Sequence, residues 1–178
     1  MPKSHGWFGL FLPRSHSKTV FILAVTCYSF TIQTIMGQLI RLLGLWPIIT
    51  DPVTHVRRLV RPGIDRSIST VVTTVIDPLL IAPIGESLIL IGVIELLRRL
   101  KFNIAVQIIV SASLSCLLHS IQYPFWGVWV APVFFIGAGA YIYWRRVSFW
   151  IGAEMTILLH FFSNAIPFIG TLAGRLHP

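Results

Sequence analysis

Charge is what this chain has least of. Only 11% of its 178 residues are charged, with 6 Asp and Glu in all, whereas a soluble domain carries about 25% charged residues. Such a chain cannot cover a water-facing surface, so a soluble globular fold is excluded. Its 55% hydrophobic content and mean hydropathy of +0.80 point to a bilayer as solvent. Two cysteines, Cys27 and Cys116, are too few for a disulfide framework, and both lie in apolar runs where a thiol reads as a small core residue. The length accommodates one domain, residues 1–178, with no room for a second beside the membrane part. A cleavable signal peptide is not expected, because the first apolar run, Val20–Leu45, is too long for an h-region and no small-x-small site follows it.

Catalytic patterns are missing as well. Without His-Glu-x-x-His, a zincin-type membrane metalloprotease is not expected. The acids deep in apolar sequence are Glu86 and, at an edge, Asp77, so a paired-aspartate protease lacks its dyad. Ser87 has no Gly-x-Ser-x-Gly turn around it.

What is present begins with a basic excess of +8, from 14 Lys and Arg. These sit in short stretches between apolar runs: Lys3, Arg14 and Lys18; Arg57, Arg58, Arg61 and Arg66; Arg98, Arg99 and Lys101; Arg145 and Arg146. That placement suits topology signals and contact with anionic headgroups, making membrane lipid the expected partner. Nucleic acid is not an expected partner, for want of a basic, aromatic-interleaved soluble face.

Five apolar segments predict an all-α, polytopic helical bundle of about five transmembrane helices. The first runs over Val20–Ile40. A connection with three prolines and four arginines, Trp46–Arg66, is expected along the interface, and β-branched Ser67–Ile76 leads into the second span. Asp77-Pro78 reads as an N-cap and first helical position, opening a helix over Pro78–Leu97 with a kink at Pro83 beside Glu86. Further spans are Phe102–Ile121, Trp126–Trp144 (with Gly137 and Gly139 permitting close approach) and Ile151–Ile166. The N-terminal segment and the turns at Arg98–Lys101 and Arg145-Arg146 then share one side. Their basic residues favour an amino terminus inside an inner or plasma membrane.

Into these segments the sequence inserts Glu86, His119 and the pair His160/Asn164. An acidic or basic residue at a helix centre costs roughly 2.5–3.5 kcal/mol on insertion scales, so such groups persist where they meet one another, water or a substrate. Measured from the basic turns, Glu86, His119 and His160 lie about 18, 27 and at most 21 Å along their helices. His160 and Asn164, four residues apart, project from one face. Glu95 precedes Arg98 and Arg99 by one turn and Glu154 opens the fifth helix, so both read as structural. The combination suits a water-activating carboxylate assisted by histidine.

Ala82-Pro83-Ile84-Gly85-Glu86-Ser87, Ser115-Cys116-Leu117-Leu118-His119 and His160-Phe161-Phe162-Ser163-Asn164 occur in the order and spacing of the CAAX-protease and bacteriocin-processing family of glutamate-type intramembrane proteases, which residues 77–164 resemble. Ser87 stands where that pattern has a second Glu, Ile91 where it has Arg, and Ser115 where it has Phe. The resemblance implies an endopeptidase acting on peptide or protein substrates at the membrane. Glu86 would be the general base, His119 would position water and move a proton, and His160 with Asn164 would hold the oxyanion. No cofactor is implied, although one acid and two histidines could supply three zinc ligands. The alternative is a catalytically degenerate membrane binding or immunity protein of the same family. A transporter or proton path ranks below both, for want of inverted repeats.

Overall fold

The structure is a computed structural model that describes residues 17–44, 72–122 and 126–176. Helix α1 spans Lys18–Leu42, a π-helical segment spans Val72–Ile81, and α2 (Ala82–Arg99), α3 (Ile104–Gln122), α4 (Trp126–Arg145) and α5 (Phe149–Leu176) follow. Among the described residues, five helices are long and apolar enough to cross a membrane, and the fold is an all-α helical bundle. The Trp46–Arg66 connection lies outside the described residues.

Local chemistry sets the helix ends. Ser17 caps α1, its hydroxyl accepting from the Val20 N–H. Lys101, at φ 63°, closes α2, with the Phe102 N–H bonded to the Leu97 carbonyl; this left-handed closure satisfies carbonyls that the helix end orphans. Asn103 then caps α3 through Val106 N–H at 2.9 Å, and Ser148 caps α5 through Ile151 N–H at 3.1 Å. Two short turns thus set α2 antiparallel to α3 and α4 antiparallel to α5.

One expectation at the second span is corrected. Asp77 does not cap a helix start, because the backbone is already helical from Val72, with Pro78 inside the π-segment. Just ahead of Pro83 the helical register changes, π giving way to α at Ala82. In the π register the partner of the Pro78 carbonyl is the N–H of residue 83, and a proline has none.

Helix α4 is the central post. One buried cluster joins Leu90, Ile91 and Ile94 of α2 to Ile108 and Ala112 of α3, Phe134, Ala138, Tyr141 and Ile142 of α4, and Ala153 of α5. A second joins Phe21, Ile22 and Val25 of α1 to Ala140 and Trp144 of α4 and Met155 and Leu159 of α5. At Gly137 the approach is not close, since a Cβ there would meet ordinary contacts at 3.7 and 3.8 Å. A close approach is found at Gly127, where a Cβ would run into the Cys116 carbonyl of α3. Small residues at helix crossings supply the van der Waals packing that holds helices together when lipid is the solvent. Leucines and isoleucines such as Leu23, Leu88, Ile109 and Leu117 face outward, as suits that solvent. Cys27 is also exposed there rather than packed in the core, and both thiols are free.

Lys18 Nζ meets Glu154 Oε2 at 2.6 Å. This contact puts the start of α1 beside the start of α5, on the same end of the bundle as the Arg98–Lys101 and Arg145-Arg146 turns. Glu154 is the sixth residue of α5, beyond its first turn, so its partner is Lys18 rather than the helix dipole.

Candidate functional site

Glu86 on α2 lies between two imidazoles from different helices. Its Oε1 is 3.4 Å from His119 Nε2 of α3, and its Oε2 is 3.2 Å from His160 Nε2 of α5. Counting along the helices from their basic ends, at 1.5 Å per residue, puts the three groups about 16–22 Å deep. That is near the middle of a hydrocarbon layer of about 30 Å. An isolated carboxylate there would be costly; one that meets two imidazoles is not isolated.

Each imidazole is held from behind. His119 Nδ1 lies 2.9 Å from the Ser115 carbonyl one turn earlier in α3. His160 Nδ1 lies 3.4 Å from Ser87 Oγ, the residue after Glu86. Phe134 of α4 stands between the rings, 5.0 Å from His119 and edge-on at 5.3 Å from His160. Such aromatic contacts fix ring planes and exclude water from the carboxylate's inner side.

The two sides of Glu86 differ. A cavity of about 180 Å³ is lined by Glu86, Ile89, Ser115, Leu118, His119 and Phe134. Ile89 is 49% and Leu118 42% exposed, so this cavity adjoins the outer surface of α2 and α3. His160 is outside the lining and buried. The carboxylate therefore has a cavity face with His119 and a core face with His160. A few water molecules or a substrate side chain fit the former.

Asn164 does not join the carboxylate. Its Nδ2 donates to the Pro78 carbonyl at 2.9 Å, the acceptor left unpaired by Pro83. One turn along α5 from His160 thus corresponds to the π-segment leading into α2, as antiparallel packing requires. Both His160 nitrogens also have partners within the protein. An oxyanion role for His160 would require Nε2 to leave Glu86, and one for Asn164 would use the second amide hydrogen.

Sequence reasoning missed Phe134, the Ser115 carbonyl and the link from Ser87 to His160. Ser87 could have been found, since an acid followed by a hydroxyl residue offers the same helix two polar directions about 100° apart. Nothing in the sequence singled out Phe134 among twelve phenylalanines. Among the described residues, no group of three or more His, Cys, Asp or Glu side chains is arranged to hold a metal ion.

At the basic end, a second polar centre forms around Glu95. Its Oε2 accepts from Arg98 Nε and Nη2 at 3.0 and 2.7 Å, and its Oε1 from Arg145 Nε and the Tyr141 hydroxyl, both at 2.8 Å. The ion pair within α2 is as the sequence predicts, with Arg98 as partner. The reach to α4 is an addition.

No family model matches the chain, and neither curated proteins nor solved structures include a significant match to it.

Proposed function

We propose that this membrane protein is an intramembrane endopeptidase of the glutamate type, a divergent relative of the CAAX-protease and bacteriocin-processing enzymes. The observation that carries the reading is the Glu86 carboxylate held between His119 and His160 beside a cavity at membrane depth. Glu86 takes a proton from a water molecule in the cavity as the water oxygen attacks the peptide carbonyl carbon. The proton passes by way of Glu86 and His119 to the leaving nitrogen as the C–N bond breaks. General base and acid steps of this kind contribute typically about 10²–10⁴-fold. The half-exposed apolar rim at Ile89 and Leu118 favours peptide segments that lie in or at the bilayer. The second amide hydrogen of Asn164 is assigned to the oxyanion, where one donor is worth about 2.7–4 kcal/mol.

The test is cleavage of membrane peptides by the full chain in proteoliposomes. Glu86→Gln keeps the shape of the side chain and removes the base, so the rate should fall at least about 100-fold while the protein still inserts. A Glu86→Gln protein that cleaves as well as the native chain overturns the reading.

One observation favours a second reading, a membrane binding or immunity protein that keeps the cavity without the chemistry. One Asn164 amide hydrogen is taken up by the Pro78 carbonyl, and Asn164 does not line the cavity beside Glu86. In such a protein Glu86→Gln leaves the cellular phenotype unchanged.

A further inference from the structure

The partners of the two imidazoles beside Glu86 call for hydrogens on different nitrogens: the carbonyl behind His119 sets the one, the carboxylate in front of His160 the other. A backbone carbonyl only accepts, so His119 Nδ1, 2.9 Å from the Ser115 carbonyl, carries the hydrogen. Its Nε2 then faces Glu86 Oε1 with a lone pair. Two lone pairs at that distance repel, so one proton belongs between Oε1 and Nε2. It is the mobile proton of the site.

His160 stands differently. Behind its Nδ1 is a hydroxyl, Ser87 Oγ at 3.4 Å, which can donate as well as accept. In front is Glu86 Oε2, whose proton-bearing partner is already on the other oxygen. An N–H at Nε2 satisfies Oε2, and the Ser87 hydroxyl then donates to Nδ1. The reverse tautomer would aim a lone pair at the carboxylate. Ser87 is 1% exposed and lies outside the cavity lining, so its oxygen cannot reach a substrate carbonyl as a nucleophile. Its influence passes through His160.

We propose that Ser87 is a positioning residue that, by donating to Nδ1, stabilises His160 in the Nε2–H tautomer that Glu86 Oε2 calls for, opposite to that of His119, so that Glu86 is held on Oε2 and left free to exchange its proton on Oε1. This rests on the catalytic role proposed for Glu86. It gives the two histidines separate tasks: His160 clamps the base, and His119 carries the proton. It also gives Ser87, which departs from the family pattern, a function of its own.

The test uses the full chain with ¹⁵N-labelled histidine in nanodiscs, with the His160 signals assigned by their loss in His160→Gln. The native protein should show His160 as the Nε2–H tautomer and His119 as the Nδ1–H tautomer. Ser87→Ala should mix the His160 tautomers and lower kcat about three- to tenfold, the worth of one hydroxyl hydrogen bond, with KM unchanged. Ser87→Thr, which restores the hydroxyl, should return the native tautomer. A native His160 in the Nδ1–H tautomer overturns the proposal, as does a Ser87→Ala protein whose His160 signals and kcat match the native ones. If the native chain cleaves no peptide, the protease reading falls, while the ¹⁵N signals still decide the role of Ser87.

Discussion

Neutralising Glu95 tests how the bundle is held at its basic end. The Glu95 side chain is only 14% exposed and takes four hydrogen bonds, three from arginines and one from a buried tyrosine. A hydrogen bond to a charged group is worth about 1.5–3 kcal/mol when buried, which applies to Tyr141. The Arg145 and Arg98 side chains are 30% and 48% exposed, so solvent discounts each pair to at most about 1 kcal/mol. Glu95→Gln keeps one acceptor oxygen and so forfeits about half the total, about 2 kcal/mol. For a chain of this size that lowers Tm by about 4–8 °C. Thermal unfolding of the native and variant proteins in the same detergent measures it. Pairing Glu95→Gln with Arg145→Gln in a double-mutant cycle isolates the link between α2 and α4. Peptide cleavage below the melting range should be unchanged, because Glu95 is nine residues from Glu86, about 13 Å along α2. A Glu95→Gln protein melting within about 1 °C of the native one would refute the argument that this carboxylate joins the two helices.

Other perturbations separate further roles. Asn164→Ala should cost stability by stranding the Pro78 carbonyl, about 1–3 kcal/mol. If the amide also serves the oxyanion, cleavage should fall about 100-fold even where the protein is fully folded; a stable, fully active variant removes both roles. Gly127→Ala places a methyl against the Cys116 carbonyl and should destabilise by about 1–3 kcal/mol through separation of α3 and α4, seen as a lowered Tm and reduced folded yield. Strong chelators should leave cleavage intact, whereas a loss restored by zinc would convert the mechanism to metal-assisted hydrolysis.

The helices were legible because the bilayer imposes a length. Runs of about 20 apolar residues, stopped by arginines, aromatic belts or prolines, place five spans, but two ends fall short: the second helical stretch begins six residues earlier, at Val72, and α5 continues ten residues past Ile166 to Leu176, with Pro167 inside it. Glu86, His119 and His160 were legible because an ionisable group in an apolar run is conspicuous and its cost demands a partner. Depth counted in helical rise makes their meeting possible. What stayed hidden depends on rotation about helix axes or on backbone register, which depth does not supply. Phe134 enters the site because α4 turns that face toward α2 and α5. Asp77-Pro78 reads as a helix start when the π-helical turn ahead of it is unseen, and the Asn164 partner is hidden for the same reason: the acceptor is a carbonyl freed by Pro83 in that register. Glu95 shows the same limit, for its i,i+3 partner is readable in the sequence while Tyr141 and Arg145 are 46 and 50 residues away.

The departures at Ser87 and Ile91 belong together. These positions are one turn apart on one face of α2, so the Glu and Arg of the family pattern would meet each other there. Both are buried, Ser87 at 1% and Ile91 at 3% exposure. Deleting one partner of a buried ion pair leaves an uncompensated charge and costs about 3–5 kcal/mol, whereas replacing both with neutral residues is often neutral or stabilising. This chain lacks both charges. Ile91 packs with Leu90, Ile94 and Ile108, while the Ser87 hydroxyl meets His160. The exchange therefore leaves no stranded charge, and it does not reach Glu86, whose two oxygens still face two imidazoles. In the proposed protease, having Ser87 in place of a second carboxylate would thus bear on how His160 is held rather than on Glu86 itself. A degenerate, non-catalytic reading has to rest on Asn164 instead, and on whether its amide can serve a substrate while it holds the Pro78 carbonyl.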